Sequence, residues 1–429
     1  MRTAVVVGSG AGGAAAAHAL QGRFDVTVLE EGKAFRPFRT DLRLPERLKR
    51  LGLLVDPRLI HLMFPAMRVR KATGGTMLVT GHGTGGTTTL ATGNAVRLDL
   101  ALRKLGVDLD AEFEELARLV PTTTDHRAVW SQPSRLAFAA CEVLGFEPEP
   151  LPKMGRQDRC HGCGHCVLGC PHGVKWDARR LVAKARSLGA KLLTGWQARR
   201  LIVKGGTASG VLAVRGSEQR EFRADAVVVA AGGLGTPALL ERSGIRCEPR
   251  LFVDPVLCVA TRWPLARQDH ELSMPFAVRG ERFLIAPYFD QLSYFFDRRW
   301  RPRAEDIFSL MIKLADAGTG AVRGGGRGVE LRQTQADRER VAQAVEMCVE
   351  IFARLGVPRR ELFYGTVNAG HPGGTLPLGG GDASTLHPSV LPENVWVADG
   401  SLFPESPGGP PILTIMALAR RVARQVAAA

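Results

Sequence analysis

A chain of 429 residues, 45% hydrophobic and 23% charged, is long enough to bury a large core and reads as globular, not as fibrous or disordered. No apolar run reaches the roughly 18 residues of a membrane-spanning helix. Lys and Arg outnumber Asp and Glu by 57 to 42, a net charge of +15, but they are scattered in small clusters such as 47–50 and 298–303. With no basic tail and no basic stretch interleaved with aromatics to stack bases, nucleic acid is not the expected partner. The surface is either simply solvated or suited to an acidic partner protein.

The N-terminus enters strand-like sequence by its third residue, which leaves no room for a signal peptide and makes a cytoplasmic location the expectation. Residues 3–31 read as strand, glycine turn, helix, strand. "VVVGSGAGG" sets Gly8, Gly10 and Gly13 between strand and helix. Gly8 permits the tight turn, Gly10 lets a pyrophosphate approach the backbone, and Gly13 lets helix and strand pack closely. The helix N-terminus offers free N–H groups to the phosphates. Glu30, 22 residues beyond Gly8 at the end of the second strand, stands where an acid hydrogen-bonds ribose hydroxyls. This motif does not by itself separate FAD from NAD; the apolar run and glycines at 227–233 favour a flavoprotein, in which a second strand returns to the same sheet.

A basic, loop-like stretch is expected to about residue 70. The Gly- and Thr-crowded segment 74–97 is expected to be irregular backbone pressed against something. Residues 99–120 carry helical apolar spacing, and a Pro-rich approach, "EPEPLPKMG", leads to the cysteines. Beyond them come a helix at 177–190, short strands ending in an apolar run at 224–245, and β-like runs through 250–300 that include "RFLIAPYF" and "LSYFF". A long helix at 334–355, a strand at 395–400 and a terminal helix from about 411 complete the chain.

"CHGCGHCVLGCPHG" places Cys160, Cys163, Cys166 and Cys170 in the spacing C-x2-C-x2-C-x3-C-P, the bacterial ferredoxin run for a [4Fe–4S] cluster. In two-cluster ferredoxins the fourth cysteine serves the other cluster, and here there is no second run. Either Cys170 closes the set, the reading adopted, or a remote thiol such as Cys247 or Cys258 does. Zinc, with His161, His165 or His172, and a loop without a ligand are the alternatives. The isolated Cys141, Cys247, Cys258 and Cys348 read as buried thiols.

Four further segments resemble the glucose–methanol–choline (GMC) oxidoreductase family. "GGLGTPALLERSGI" (232–245) is similar to its second signature, with Gly233 where a small residue such as Ala is usual. "HPGGT" (371–375) resembles its active-site His segment. The segment 395–419 resembles its closing strand, flavin loop and terminal helix, and "GTGGTTTLATGNAVR" (83–97) its isoalloxazine loop. The resemblance implies FAD, contacted by Gly85, Gly86, Thr87 and Asn94, by Asp399 and Gly400, and by the helix that Pro411 opens. It also implies that His371 takes a hydroxyl proton while a hydride leaves the substrate carbon. The family generally carries a second His or Asn in the closing loop. Pro410 stands there in this chain, with Asn368 or Ser406 as substitutes.

The expected fold is α/β: a Rossmann-like FAD-binding domain interleaved with a smaller antiparallel-sheet substrate domain. The divisions are FAD-binding segments at 1–100, 191–249 and 361–429, a helical and cluster-binding insertion at 101–190, and a substrate domain at 250–360. A flavin takes two electrons and a cluster one, so the pairing points to a dehydrogenase acting on a small-molecule CH–OH donor. Its electrons would leave for an acidic carrier of ferredoxin or flavodoxin type. The alternatives are the reverse, a ferredoxin-driven reductase of a carbonyl or activated C=C, and a non-catalytic electron-transfer or redox-sensing flavoprotein.

Overall fold

The computed structural model of the chain describes every residue except 39–41, 55 and 327. A five-stranded, all-parallel sheet runs in the order Val395–Val397, Ala226–Val229, Arg2–Val7, Phe24–Glu30, Lys191–Thr194. Its central strands are near-continuous Val and Ala, buried on both faces as a parallel sheet requires. The helix Ala11–Ala19 is almost entirely Ala and Gly. That thinness lets it lie between the sheet and the C-terminal helix Ile412–Ala428. A side chain at Gly13 would meet the Gly8 carbonyl oxygen at 2.0 Å, so the fingerprint glycines are set by packing as well as by the turn.

An antiparallel trio, Gln197–Lys204, Thr207–Arg215 and Glu218–Arg223, leads into the return strand Ala226–Val229. A second, mostly antiparallel sheet runs Met67–Lys71, Met77–Gly81, Asn368–Ala369, Val256–Arg262, Ile307–Leu314, Phe283–Pro287, Phe276–Gly280, Glu149–Pro150. One face of this sheet packs the helix Gln335–Arg354, whose Ile351 and Phe352 are buried against Phe308 and Ile312. The register pairs Val256 with Lys313 on one side and with Asn368 on the other.

Several expectations are corrected in detail. The stretch before residue 70 contains the helix Arg43–Arg50 and begins a strand at Met67. The segment 74–97 is not irregular throughout, because Met77–Gly81 joins the second sheet. The helical spacing of 99–120 is cut into Leu100–Lys104 and Asp110–Leu119, with Gly106 at φ +85° closing the first. "LSYFF" lies in a helix, Gln291–Phe296, because Asp290 caps it by accepting from the Leu292 and Ser293 N–H groups. Among the described residues no helix is long and apolar enough to cross a membrane.

Candidate active site

At the carboxyl ends of the parallel strands, where ligands of open α/β sheets bind, lies a cavity of about 1000 Å3. Gly8 turns at φ +100°, and Gly8, Gly10 and the start of the helix Ala11–Ala19 form one wall. Gly13 packs beneath this turn. Glu30 lines the cavity and is only 7% exposed. It accepts from Ser9 N at 3.1 Å, Ser9 Oγ at 2.6 Å and Gly32 N at 2.8 Å. Burial nevertheless leaves its carboxyl above the ordinary carboxylate range. Ser9 Oγ also accepts from Gly85 N at 3.1 Å, a tie between the fingerprint and the 83–97 loop that no motif announces.

Gly86 and Thr87 line the cavity, whereas Gly85 lies behind it in a left-handed turn. Asp399 and Gly400 also line it, and Asp399 accepts from Gly232 N, Thr236 Oγ1 and Ser401 N. Pro411 is the N-cap of Ile412–Ala428, and Pro411, Ile412 and Ile415 bring that helix's positive end to the cavity wall. A dinucleotide thus meets a glycine turn, an acid at a strand end and two helix N-termini, a set of residues that fits FAD. Asn94 lies elsewhere: fully buried, it donates to Thr92 Oγ1 and accepts from Lys153 Nζ.

His371 lines the cavity with its side chain 21% exposed. Its Nδ1 lies 3.4 Å from Asp254 Oδ2. Asp254 has no exposed side-chain surface and also accepts from Ser406 Oγ and, at 3.3 Å, Gly408 N. The buried Lys313 Nζ donates to the Asp254 carbonyl at 3.1 Å and stands 3.4 Å from Oδ2. Burial lowers the Lys313 ammonium against the pull of Asp254. Burial and Lys313 likewise hold the His371 imidazole below its ordinary value. For Asp254, burial pushes upward but Lys313 and His371 outweigh it. Ser406 therefore reaches His371 only through Asp254. Asn368 donates to Asp290 Oδ2 at 3.1 Å and to the Thr366 carbonyl, and does not line the cavity.

Cys160, Cys163, Cys166 and Cys170 line one small cavity of about 20 Å3, together with Lys175 and Glu271, whereas Cys247 and Cys258 do not reach it. Burial pushes the Cys160 thiol up to about 11, and the other three cysteines add to the rise. Among the described residues no group of three or more His, Cys, Asp or Glu side chains is arranged to hold a metal ion. In donor type and number, the four thiols that line this one cavity match what a [4Fe–4S] cluster takes.

The two cavities share a wall. Thr88 and Ala91 line the large one. Lys175, which lines the small one, donates from Nζ to Thr89 O at 2.7 Å, Ala91 O at 2.6 Å and Cys166 O at 2.8 Å. One buried side chain thus joins the 83–97 loop to the cysteine loop.

Two profiles described as GMC oxidoreductase match residues 108–257 and 328–419. An uncharacterized GMC-type oxidoreductase of Mycobacterium tuberculosis is 30% identical over 99% of this chain and 76% of its own length. An uncharacterized protein of Methanocaldococcus jannaschii is 24% identical over 98% of each. A long-chain-alcohol oxidase of Arabidopsis thaliana is 29% identical over 63% of this chain and 38% of its own. Among solved structures, pyridoxine 4-oxidase from Mesorbium loti shares the fold, with a TM-score of 0.72 at 18% identity over 99% of both chains. Similarity running the length of the chain, on a fold whose dinucleotide cradle and histidine meet in one cavity, establishes that this chain belongs to the GMC oxidoreductase family, flavin enzymes acting on CH–OH groups.

Proposed function

We propose that the chain is an FAD- and [4Fe–4S]-dependent dehydrogenase that oxidises an alcohol and releases the electrons singly to an acidic protein carrier. The observation that carries the reading is the shared wall: the family's flavin cavity and a four-thiol pocket are separated by Lys175 and the carbonyls it binds. A protein that hands both electrons straight to oxygen has no use for such a neighbour.

Gly8, Gly10, Gly13, Glu30, Gly86, Thr87, Asp399, Gly400 and the helix opened by Pro411 would hold FAD; Cys160, Cys163, Cys166 and Cys170 would hold the cluster. Bound FAD supplies a two-electron hydride acceptor, and a bound cluster a one-electron outlet. The chain's own residues do the rest. His371 accepts the hydroxyl proton at a ring nitrogen as the carbon gives up its hydride, so each carbonyl formed releases two electrons and two protons. Asp254 orients the ring and stabilises it once protonated, the work a second polar residue at position 410 would otherwise share. Phe252, Phe403 and Ile412 supply apolar surface to part of the cavity wall.

Anaerobic purification followed by flavin, iron and sulfide assays and EPR of the reduced protein tests the cofactors. Reoxidation then tests the reading: a one-electron dye is expected to reoxidise the substrate-reduced enzyme much faster than O2. Equal rates would overturn the dehydrogenase assignment.

A further inference from the structure

Buried lysines normally find a carboxylate. Lys313 does, in Asp254. Lys153 and Lys175 do not, although they are 0% and 4% exposed; among the described residues neither forms an ion pair. Lys175 is held by four carbonyls, those of Thr88, Thr89, Ala91 and Cys166. Lys153 donates to Asn94 Oδ1 and, at 2.6 Å, to the Ser273 carbonyl. Carbonyl dipoles solvate an ammonium but do not neutralise it, and an isolated buried charge costs several kcal/mol or gives up its proton. Of the two, only Lys175 lines the cysteine cavity, and the carboxylate of Asp177, two residues along, is already taken by Arg179 at 2.8 Å. Glu271, on the same pocket wall, is spent on Ser131 and Ser134, and burial raises it to about 7.

We propose that Lys175 is the counter-cation of the four-cysteine pocket, set there to offset the charge of its bound cluster and raise its reduction potential while clamping the flavin-side loop to the cysteine loop. The inference rests on the cluster reading above. The chemistry follows from charge: four thiolates around a [4Fe–4S]2+ core carry two net negative charges, and one-electron reduction adds a third. A fixed ammonium group against the cluster favours the reduced form.

The test is redox titration of the whole anaerobic protein, followed by EPR, for Lys175→Met and Lys175→Arg, each with iron, sulfide and flavin content measured. In Lys175→Met the one-electron reduction equilibrium of the cluster is expected to fall at least about tenfold, a shift of about 59 mV to lower potential. Lys175→Arg, which keeps the charge, is expected to stay near the wild-type potential. Normal iron and sulfide with an unchanged potential in Lys175→Met overturns the proposal. If Lys175→Met loses the cluster but keeps flavin and fold, retention in Lys175→Arg supports the charge role, and loss there too overturns it in favour of simple packing. Wild-type protein without iron and sulfide would instead sink the cluster reading itself, a distinct result.

Discussion

Asp254 meets His371 from a backbone φ of +52°, a left-handed conformation that costs a non-glycine residue energy. The strain is held by its own N–H donating to Asp316 Oδ1 at 2.9 Å, which aims the carboxylate at the imidazole. Replacing His371 by Ala is expected to slow substrate-driven flavin reduction by roughly a hundredfold to ten-thousandfold, the usual worth of a positioned base, with flavin content unchanged. Asp254→Asn makes a sharper prediction. The Asp254 carboxylate favours the protonated ring, whereas burial and Lys313 favour the neutral one. Without the carboxylate, the His371 value falls further. A base must be neutral to act, so the acid limb of the kcat/KM–pH profile is expected to move to lower pH while the rate at its plateau drops. A profile unmoved by the substitution would leave Asp254 with a structural role only. Of this group only His371 and Ser406 were legible beforehand. The glycine turn and Glu30 are local patterns that a strand–turn–helix dictates, but Asp254 is 117 residues from His371 and belongs to no motif. Lys153, Lys175 and Lys313 carried the opposite signal, since a lysine in a sequence reads as surface.

At the scale of elements, the one departure from the family pattern in the second signature has a steric reason. The helix Gly232–Arg242 runs against the His371 segment so closely that a side chain at Gly233 would meet the Pro372 carbonyl oxygen at 1.9 Å. Gly233→Ala is therefore expected to displace 371–373 and lower kcat well before it affects flavin binding, as steady-state rates against bound-flavin absorbance will show. The helix Gln335–Arg354 is the counter-case, where sequence and structure agree almost to the residue. Thr334 and Asp337 form a capping box, with Asp337 N donating to Thr334 Oγ1 at 3.1 Å and Thr334 N to the Asp337 carboxylate at 3.0 Å. Thr334→Ala is expected to cost about 1 kcal/mol, read as a lower urea midpoint with flavin content intact. Long periodic segments with caps were legible for this reason. "LSYFF" was not, because aromatic residues suit strands and the deciding contact is the Asp290 cap just before it.

On the scale of the whole molecule, the proposed function, in which electrons leave singly, would give the net charge of +15 a use. A positively charged protein draws an acidic carrier in before contact, and salt weakens that attraction as the screening length shrinks from about 30 Å at 0.01 M to about 8 Å at 0.15 M. The reduced enzyme should therefore pass electrons to an acidic ferredoxin or flavodoxin with a bimolecular rate constant that falls steeply over this range. Transfer to a small uncharged dye over the same range should change little. Stopped-flow measurement of the two side by side separates steering from any general effect of salt on the protein. A carrier rate as insensitive to salt as the dye's would mean that the basic surface is only solvated, and that the partner is chosen by something other than charge.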